Sequence, residues 1–242
     1  MGSASVPPDT RVYAIGDIHG RLDLLSRLHQ MILDDARISK AGDRILVYLG
    51  DYVDRGPDSA GVIELLSQET LPGFTAVHLK GNHEDFLLRF LDDTSSGSAW
   101  FANGGVATLR SYGVDMDYAY TDTPARLLDR LSRRLPARHL DFLRALSLHH
   151  CIGDYLFVHA GIRPGLAMEL QSAADMLWIR GEFLNSSVEH GKIVVHGHTI
   201  TDLPEVRENR IGIDTGAFFS DRLTCLVLDG TERRFLHTGP HG

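Results

Sequence analysis

Three apolar runs in the first ninety residues each end in a burst of charge and glycine: RVYAIGDIHG, RILVYLGDYVDRG and FTAVHLKGNHE. Each run has the length of a buried strand, and each is followed by apolar residues at helical spacing. Leu22, Leu25, Leu28 and Ile32 follow the first, SAGVIELLSQ the second and DFLLRFL the third, with Asp58 or Ser59 placed to cap the second helix. That order implies strand–helix–strand units and an α/β fold. In open α/β sheets, ligands bind beyond the carboxyl ends of the strands, where successive loops converge. The charge therefore sits where a site is expected.

Between Asp92 and Ala145 the pattern changes to the glycine-containing stretch WFANGGVATLRSYG and two helical patterns split at Pro136. This reads as a helical insertion over about residues 92–147. Beyond it, DYLFVHAG, KIVVHGHT, RIGIDTG and LTCLVLDG are short β-rich runs bounded by Gly and Asp, with ERRFLHT as a last strand. They imply a second sheet packed on the first. A chain of 242 residues with 43% hydrophobic content can bury one large core or two small ones. No linker divides it, and 1–242 is read as a single domain.

A formal charge of -8, with no cluster of Lys and Arg, argues against a nucleic-acid or anionic-membrane partner. Cys151 and Cys225 are too few for a disulfide framework and read as two core thiols in a reducing compartment. The start MGSASVPPDTR lacks the basic and apolar regions of a signal peptide, and no apolar stretch reaches the roughly 20 residues of a membrane helix. A cytoplasmic location is expected.

The polar residues at the strand ends form a set. Asp17 and His19 come from GDIHG, Asp51 from GDYVDRG, Asn82 and His83 from GNHE, His159 from VHAG and His198 from HGHT. Imidazole with carboxylate suits Mn, Fe and Zn, and the absence of Cys among these residues argues against a structural zinc site. Five or six such ligands exceed what one four-coordinate ion requires, and a carboxylate can bridge two ions. Two metal ions about 3.5–4 Å apart stabilise both ends of an in-line displacement at phosphorus. Arg55 supplies a planar fork that matches phosphate oxygens.

The ordered motifs GDIHG, GDYVDRG, GNHE, HAG and GHT resemble the phosphoprotein phosphatase branch of the calcineurin-like metallophosphoesterases, above all the bacterial and bacteriophage Ser/Thr protein phosphatases. The resemblance spans Val12 to Leu228 and implies two packed β-sheets flanked by helices, a four-layer αββα sandwich. It further implies that Asp17 and His19 bind a first divalent ion, that Asp51 bridges, and that Asn82, His159 and His198 bind a second. The ions it implies are Mn²⁺, with Fe or Zn as alternatives. Arg55 and Arg180 are then the phosphate-binding arginines. His83 is the general acid, oriented by Asp54, and a hydroxide bridging the metals attacks phosphorus directly. His196 competes with His198 for one ligand position, and Asn103 of WFANGG is a candidate substrate contact. The implied partner is a phosphorylated protein or a small phosphoester. Symmetric diadenosine tetraphosphate hydrolases are also similar, but typically carry Ala where this chain has Asp54 and GNHD where it has Glu84. A catalytically dead phosphoprotein-binding module is a further alternative, which loss of Asp51, His83 or Arg55 would have favoured; all three are present.

Overall fold

In the computed structural model, the three apolar runs form neighbouring parallel strands, each followed by a helix. The structure describes residues 4–68, 71–116 and 122–239. Strand β1 (Thr10–Ile15) leads to helix α1 (Leu22–Ile38), β2 (Asp43–Tyr48) to α2 (Ser59–Leu66), and β3 (Thr75–His78) to α3 (Asn82–Asp92). Asp58 caps α2, accepting the Gly61 N–H at 2.8 Å. Helix α3 begins earlier than its apolar spacing predicts, so Asn82 and His83 lie in its first turn.

The insertion runs through α4 (Gly97–Trp100), a kinked segment over 101–105 with Gly104 at φ 105°, and α5 (Val106–Ser111). Helices α6 (Pro124–Ser132) and α7 (Ala137–Arg144) follow on either side of Pro136, while residues 117–121 lie outside the described set. The chain continues through β4 (His149–Ile152), β5 (Tyr155–Val158), α8 (Ala173–Trp178), α9 (Gly181–Leu184), β6 (Ile193–His196), β7 (Glu205–Val206) and β8 (Arg210–Gly212). It ends with α10 (Ala217–Ser220), β9 (Thr224–Asp229) and β10 (Glu232–His237).

Strand order is β10-β9-β1-β2-β3 in one sheet and β4-β5-β6-β8-β7 in the other. LTCLVLDG and ERRFLHT therefore belong to the first sheet, not to the second as the sequence order implied. β9 pairs antiparallel with β1, Ile15 opposite Cys225, and β10 closes that edge. Its residues are apolar on both faces, Cys225 and Val227 on one and Leu226 and Leu228 on the other, and a place between two strands buries both. The short edge strands β4 and β7 carry no clear alternation and were not legible.

Alternation along the strands builds the layers. Tyr13 and Ile15 face the helical core with Leu25, Leu28 and Ile32. Val12 and Ala14 face the second sheet, packing with Phe157, Val195 and Ile211. The far side of that sheet, Leu156, Val158 and Val194, is covered by Met176, Ile179 and Phe183. The result is the αββα order that the motifs implied. Of the two cysteines, Cys225 is buried, but Cys151 is exposed on edge strand β4, which corrects the expectation of two core thiols; both are free. Among the described residues no helix is long and apolar enough to cross a membrane.

Asp35 of α1 ties that helix to the first sheet. Its carboxylate accepts from Tyr13 Oη at 2.7 Å and Arg11 Nη1 at 3.0 Å, and pairs with Arg234 of β10. Burial would raise its pKa, but Arg234 and Tyr13 outweigh burial and hold it below the usual carboxylate range. A depressed folded-state pKa gives stability that is complete above the unfolded-state pKa, about 3.9, and lost as pH falls through the folded value. Asp35→Asn should lower stability at neutral pH by about 1.5–3 kcal/mol and flatten the acid limb of the stability curve below about pH 4. Urea denaturation between pH 2 and pH 7 checks this; parallel curves for the two proteins would contradict it.

Candidate active site

The carboxyl ends of β1, β2 and β3 carry GDIHG, GDYVDRG and GNHE into one place. Backbone bonds join the loops: Ile18 N–H and His19 N–H donate to Asp51 O at 3.1 and 2.8 Å, and Gly20 N–H donates to Tyr52 O at 2.8 Å. His19, Asp51, Asp54, Arg55 and His198 all have left-handed φ, between 46° and 72°. Such strain in non-glycine residues persists only where the surroundings enforce it. Glu84, fully buried, is one enforcer. Its Oε2 accepts the N–H groups of Asp51 and Gly81, both at 2.8 Å, and its Oε1 accepts those of Tyr52 and Val53 at 2.7 and 3.2 Å. Gly81 is required by close approach, since a Cβ there would lie 2.1 Å from Asp51 Oδ1.

Asp51 is the centre of the cluster. The Nε2 atoms of His19 and His159 lie 3.5 Å from its two carboxylate oxygens, and His83 Nε2 lies 3.9 Å away. Burial would raise the Asp51 pKa, but the surrounding imidazoles of His159, His83, His19 and His198 hold it well below the usual range. Burial keeps three of these imidazoles neutral, pushing His19 to about 3, His198 to about 2 and His159 below its ordinary value. His19 Nδ1 bonds Val53 O at 2.9 Å and His159 Nδ1 bonds Leu49 O at 3.0 Å. Those carbonyls fix the proton on Nδ1 and leave the Nε2 lone pair for a metal.

Two buried triads could each hold an ion: His19, Asp51 and His83, and Asp51, His159 and His198, with Asp51 common to both. The donors fit a pair of divalent cations. His198 Nε2 is buried without a hydrogen-bond partner among the described residues. The carboxylates of Asp17, Asp51 and Asp214 crowd together; burial with Asp214 and Asp51 raises the Asp17 pKa, and burial raises Asp214 to about 6. Such a set calls for positive charge. Asn82 Oδ1 lies 3.0 Å from His159 Nε2. Asp17 falls outside both triads; its oxygens accept the His198 N–H at 3.1 and 3.2 Å.

His83 and Asp54 form a buried pair, with Nδ1 2.7 Å from Oδ2. Burial would lower the His83 pKa, but Asp51 and Asp54 outweigh it and raise it. Arg55 is at the rim, its Nη1 2.9 Å from His19 Nε2 and its guanidinium 4.9 Å from the centre of the Phe218 ring. Arg180 is exposed, donating to Thr199 Oγ1 at 3.1 Å. Asn103 turns back onto its own helix, its side-chain amide donating to Ala99 O at 2.8 Å. His196 packs against Phe183 and Arg210 and joins neither triad. Sequence reasoning missed the roles of Trp100, Thr108, Asp214 and Phe218. WFANGG and IDTG were visible signals, read respectively for their asparagine and as a strand end.

The profile of the family "Calcineurin-like phosphoesterase" matches residues 10–219. The chain belongs to this family. The phosphoesterase is 30% identical over 225 residues to serine/threonine-protein phosphatase 2 of Escherichia coli, covering 88% of this chain and 90% of that one. It is 26% identical over 232 residues to an asymmetrical bis(5'-nucleosyl)-tetraphosphatase of Oceanobacillus iheyensis, covering 89% and 87%. In fold it is similar to the crystal structure of a provisionally named diadenosine tetraphosphatase, at 23% identity and a TM-score of 0.65, covering 99% of this chain and all of that one. Together, family membership and the buried His/Asp triads make the chain a metallophosphoesterase, a hydrolase of phosphoesters.

Proposed function

We propose that this phosphoesterase hydrolyses phosphate monoesters on Ser or Thr side chains of proteins. The observation that carries the reading is the buried Asp51 carboxylate ringed by imidazoles, with an Arg fork at its rim and a His–Asp pair behind it. Asp17, His19, Asp51, Asn82, His159 and His198 would hold two divalent ions, Mn²⁺ in first place and Fe or Zn as alternatives. When bound, such ions supply a nucleophile at neutral pH and Lewis-acid stabilisation of the phosphate. Arg55 and Arg180 orient phosphate oxygens, and Nε2 of His83 delivers a proton to the leaving oxygen while Asp54 holds the opposite ring nitrogen. No phosphoenzyme is expected. A cytoplasmic location fits the two free thiols.

Asp54 and Glu84 support the protein-phosphatase reading over symmetric dinucleotide hydrolysis. The relatives above include an asymmetrical dinucleotide hydrolase, so both substrate types belong in the test. The Mn²⁺-loaded enzyme is offered a phosphothreonine peptide and diadenosine tetraphosphate at equal concentration. Faster phosphate release from the peptide is expected. Preference for the dinucleotide would overturn the reading, and its products would give the cleavage mode: two ADP for symmetric, ATP and AMP for asymmetric.

Arg55→Lys keeps the charge but loses the fork and the flat face over Phe218. Affinity and turnover should both fall, by about 10–100-fold in kcat/KM, or about 1.4–2.7 kcal/mol of transition-state stabilisation. Wild-type kinetics would remove Arg55 from the site.

A further inference from the structure

Asp54 is fully buried, and the helical insertion supplies two of the three donors to its carboxylate among the described residues. Trp100 Nε1–H donates to Oδ2 at 2.9 Å and approaches Oδ1 at 3.1 Å, and Thr108 Oγ1–H donates to Oδ1 at 2.6 Å. The Thr108 hydroxyl also accepts the Asp54 N–H at 2.9 Å, so it holds this residue by both side chain and backbone. Ser59 Oγ accepts the same N–H at 3.0 Å. The only other donor to the carboxylate among the described residues is His83 Nδ1.

The backbone of the insertion braces the same loop. Gly104 O accepts the Arg55 N–H at 3.3 Å, and Asp54 and Arg55 stand at φ of 72° and 67°. The two glycines of WFANGG make the approach possible. Gly104, itself at φ 105°, would place a Cβ 2.8 Å from Arg55 Cγ, and a Cβ on Gly105 would lie 2.4 Å from the Trp100 ring. The chain kinks at Gly104 between Trp100 and Thr108, and both side chains meet the Asp54 carboxylate from either side of that kink. Trp100 is held in turn by Phe90 and Phe101, at ring-centre distances of 5.0 and 5.5 Å.

We propose that the insertion is part of the catalytic apparatus: Trp100 and Thr108 are positioning residues that act through Asp54 to hold the His83 imidazole in its proton-donating orientation. The inference rests on the reading of His83 as the general acid. A carboxylate anchored by two further donors cannot rotate away from Nδ1, so Nε2 stays turned toward Asp51 and the reacting phosphate. The glycine pair and the kink at Gly104 are then explained together with the indole and the hydroxyl.

The test uses the Mn²⁺-loaded full chain carrying Trp100→Phe, Thr108→Val and Thr108→Ser, assayed on a phosphothreonine peptide and on p-nitrophenyl phosphate. A poor alkoxide leaving group needs the proton and an activated aryl oxide does not. Trp100→Phe and Thr108→Val should each lower kcat on the peptide by about 10–100-fold, with KM and the aryl substrate changed by less than about threefold. Thr108→Ser should restore most of what Thr108→Val loses. In a His83→Asn background, Trp100→Phe should add little. Equal losses on both substrates, or a full additional loss in the His83→Asn background, would overturn the inference. Because Thr108→Val removes only a hydroxyl, it decides the matter if Trp100→Phe does not fold. Should His83→Asn itself slow both substrates equally, the acid reading falls and this inference with it; leaving-group-selective loss in His83→Asn but not in the insertion variants refutes the inference alone.

Discussion

Asp51→Asn is expected to lower kcat/KM by more than about 10³-fold and to weaken metal retention. The scale follows from removing a single preorganised charge-stabilising group, which costs about 10²–10³, with the loss of metal added. The asparagine keeps the size of the side chain and an oxygen to accept the His83 N–H, now 3.1 Å away, so the fold should survive. It loses the negative charge that faces four imidazoles and is shared by both triads. Loss of an outer partner of a metal ligand already costs about 10–100-fold in affinity or activity, and a shared ligand should cost more. Steady-state kinetics with elemental analysis of the same preparation measures both effects. Full metal content with normal turnover would end the bridging assignment.

His83→Asn is expected to lower turnover of a phosphothreonine peptide by about 10²–10⁴-fold, the range of general acid–base catalysis. An activated aryl phosphate should lose far less, because its leaving oxygen departs without a proton. The side chain is buried, and its Nε2 lies 3.9 Å from Asp51 Oδ2 while its Nδ1 is held by Asp54 at 2.7 Å. Without metal, Asp51 and Asp54 overcome burial to raise its pKa; with ions on Asp51, the Asp54 bond to Nδ1 is what favours the acid form. The wild-type kcat on the peptide should therefore show an alkaline limb from loss of the His83 proton, and His83→Asn should abolish that limb. An unchanged alkaline limb in the variant would assign it to another group.

The motifs at the strand ends were legible because strand, turn and candidate ligand are contiguous there. RVYAI, RILVY and TAVH are apolar runs whose next residues are the site, and chain order alone brings their carboxyl ends together in a parallel sheet. The two histidines of HGHT separate only in three dimensions, where His196 turns to Phe183 and His198 to His159. Residues that act across the chain were hidden. Trp100 and Thr108 meet Asp54 over separations of 46 and 54 residues, and no local pattern marks which side of a helix will face a distant loop. In WFANGG the asparagine drew attention as the polar residue, whereas the indole N–H faces the carboxylate and Asn103 bonds Ala99. β9 was legible as a strand but not as a neighbour of β1, because an apolar run does not say which sheet edge it will fill.

The number of metal ions bound per chain tests the two-metal reading most directly. The protein is stripped with chelator, reloaded with Mn²⁺, freed of excess and analysed for metal and protein together. Two ions per chain in the wild type, falling in Asp51→Asn, is the predicted result; one ion or none in a wild-type preparation that still turns over a phosphoester would contradict it.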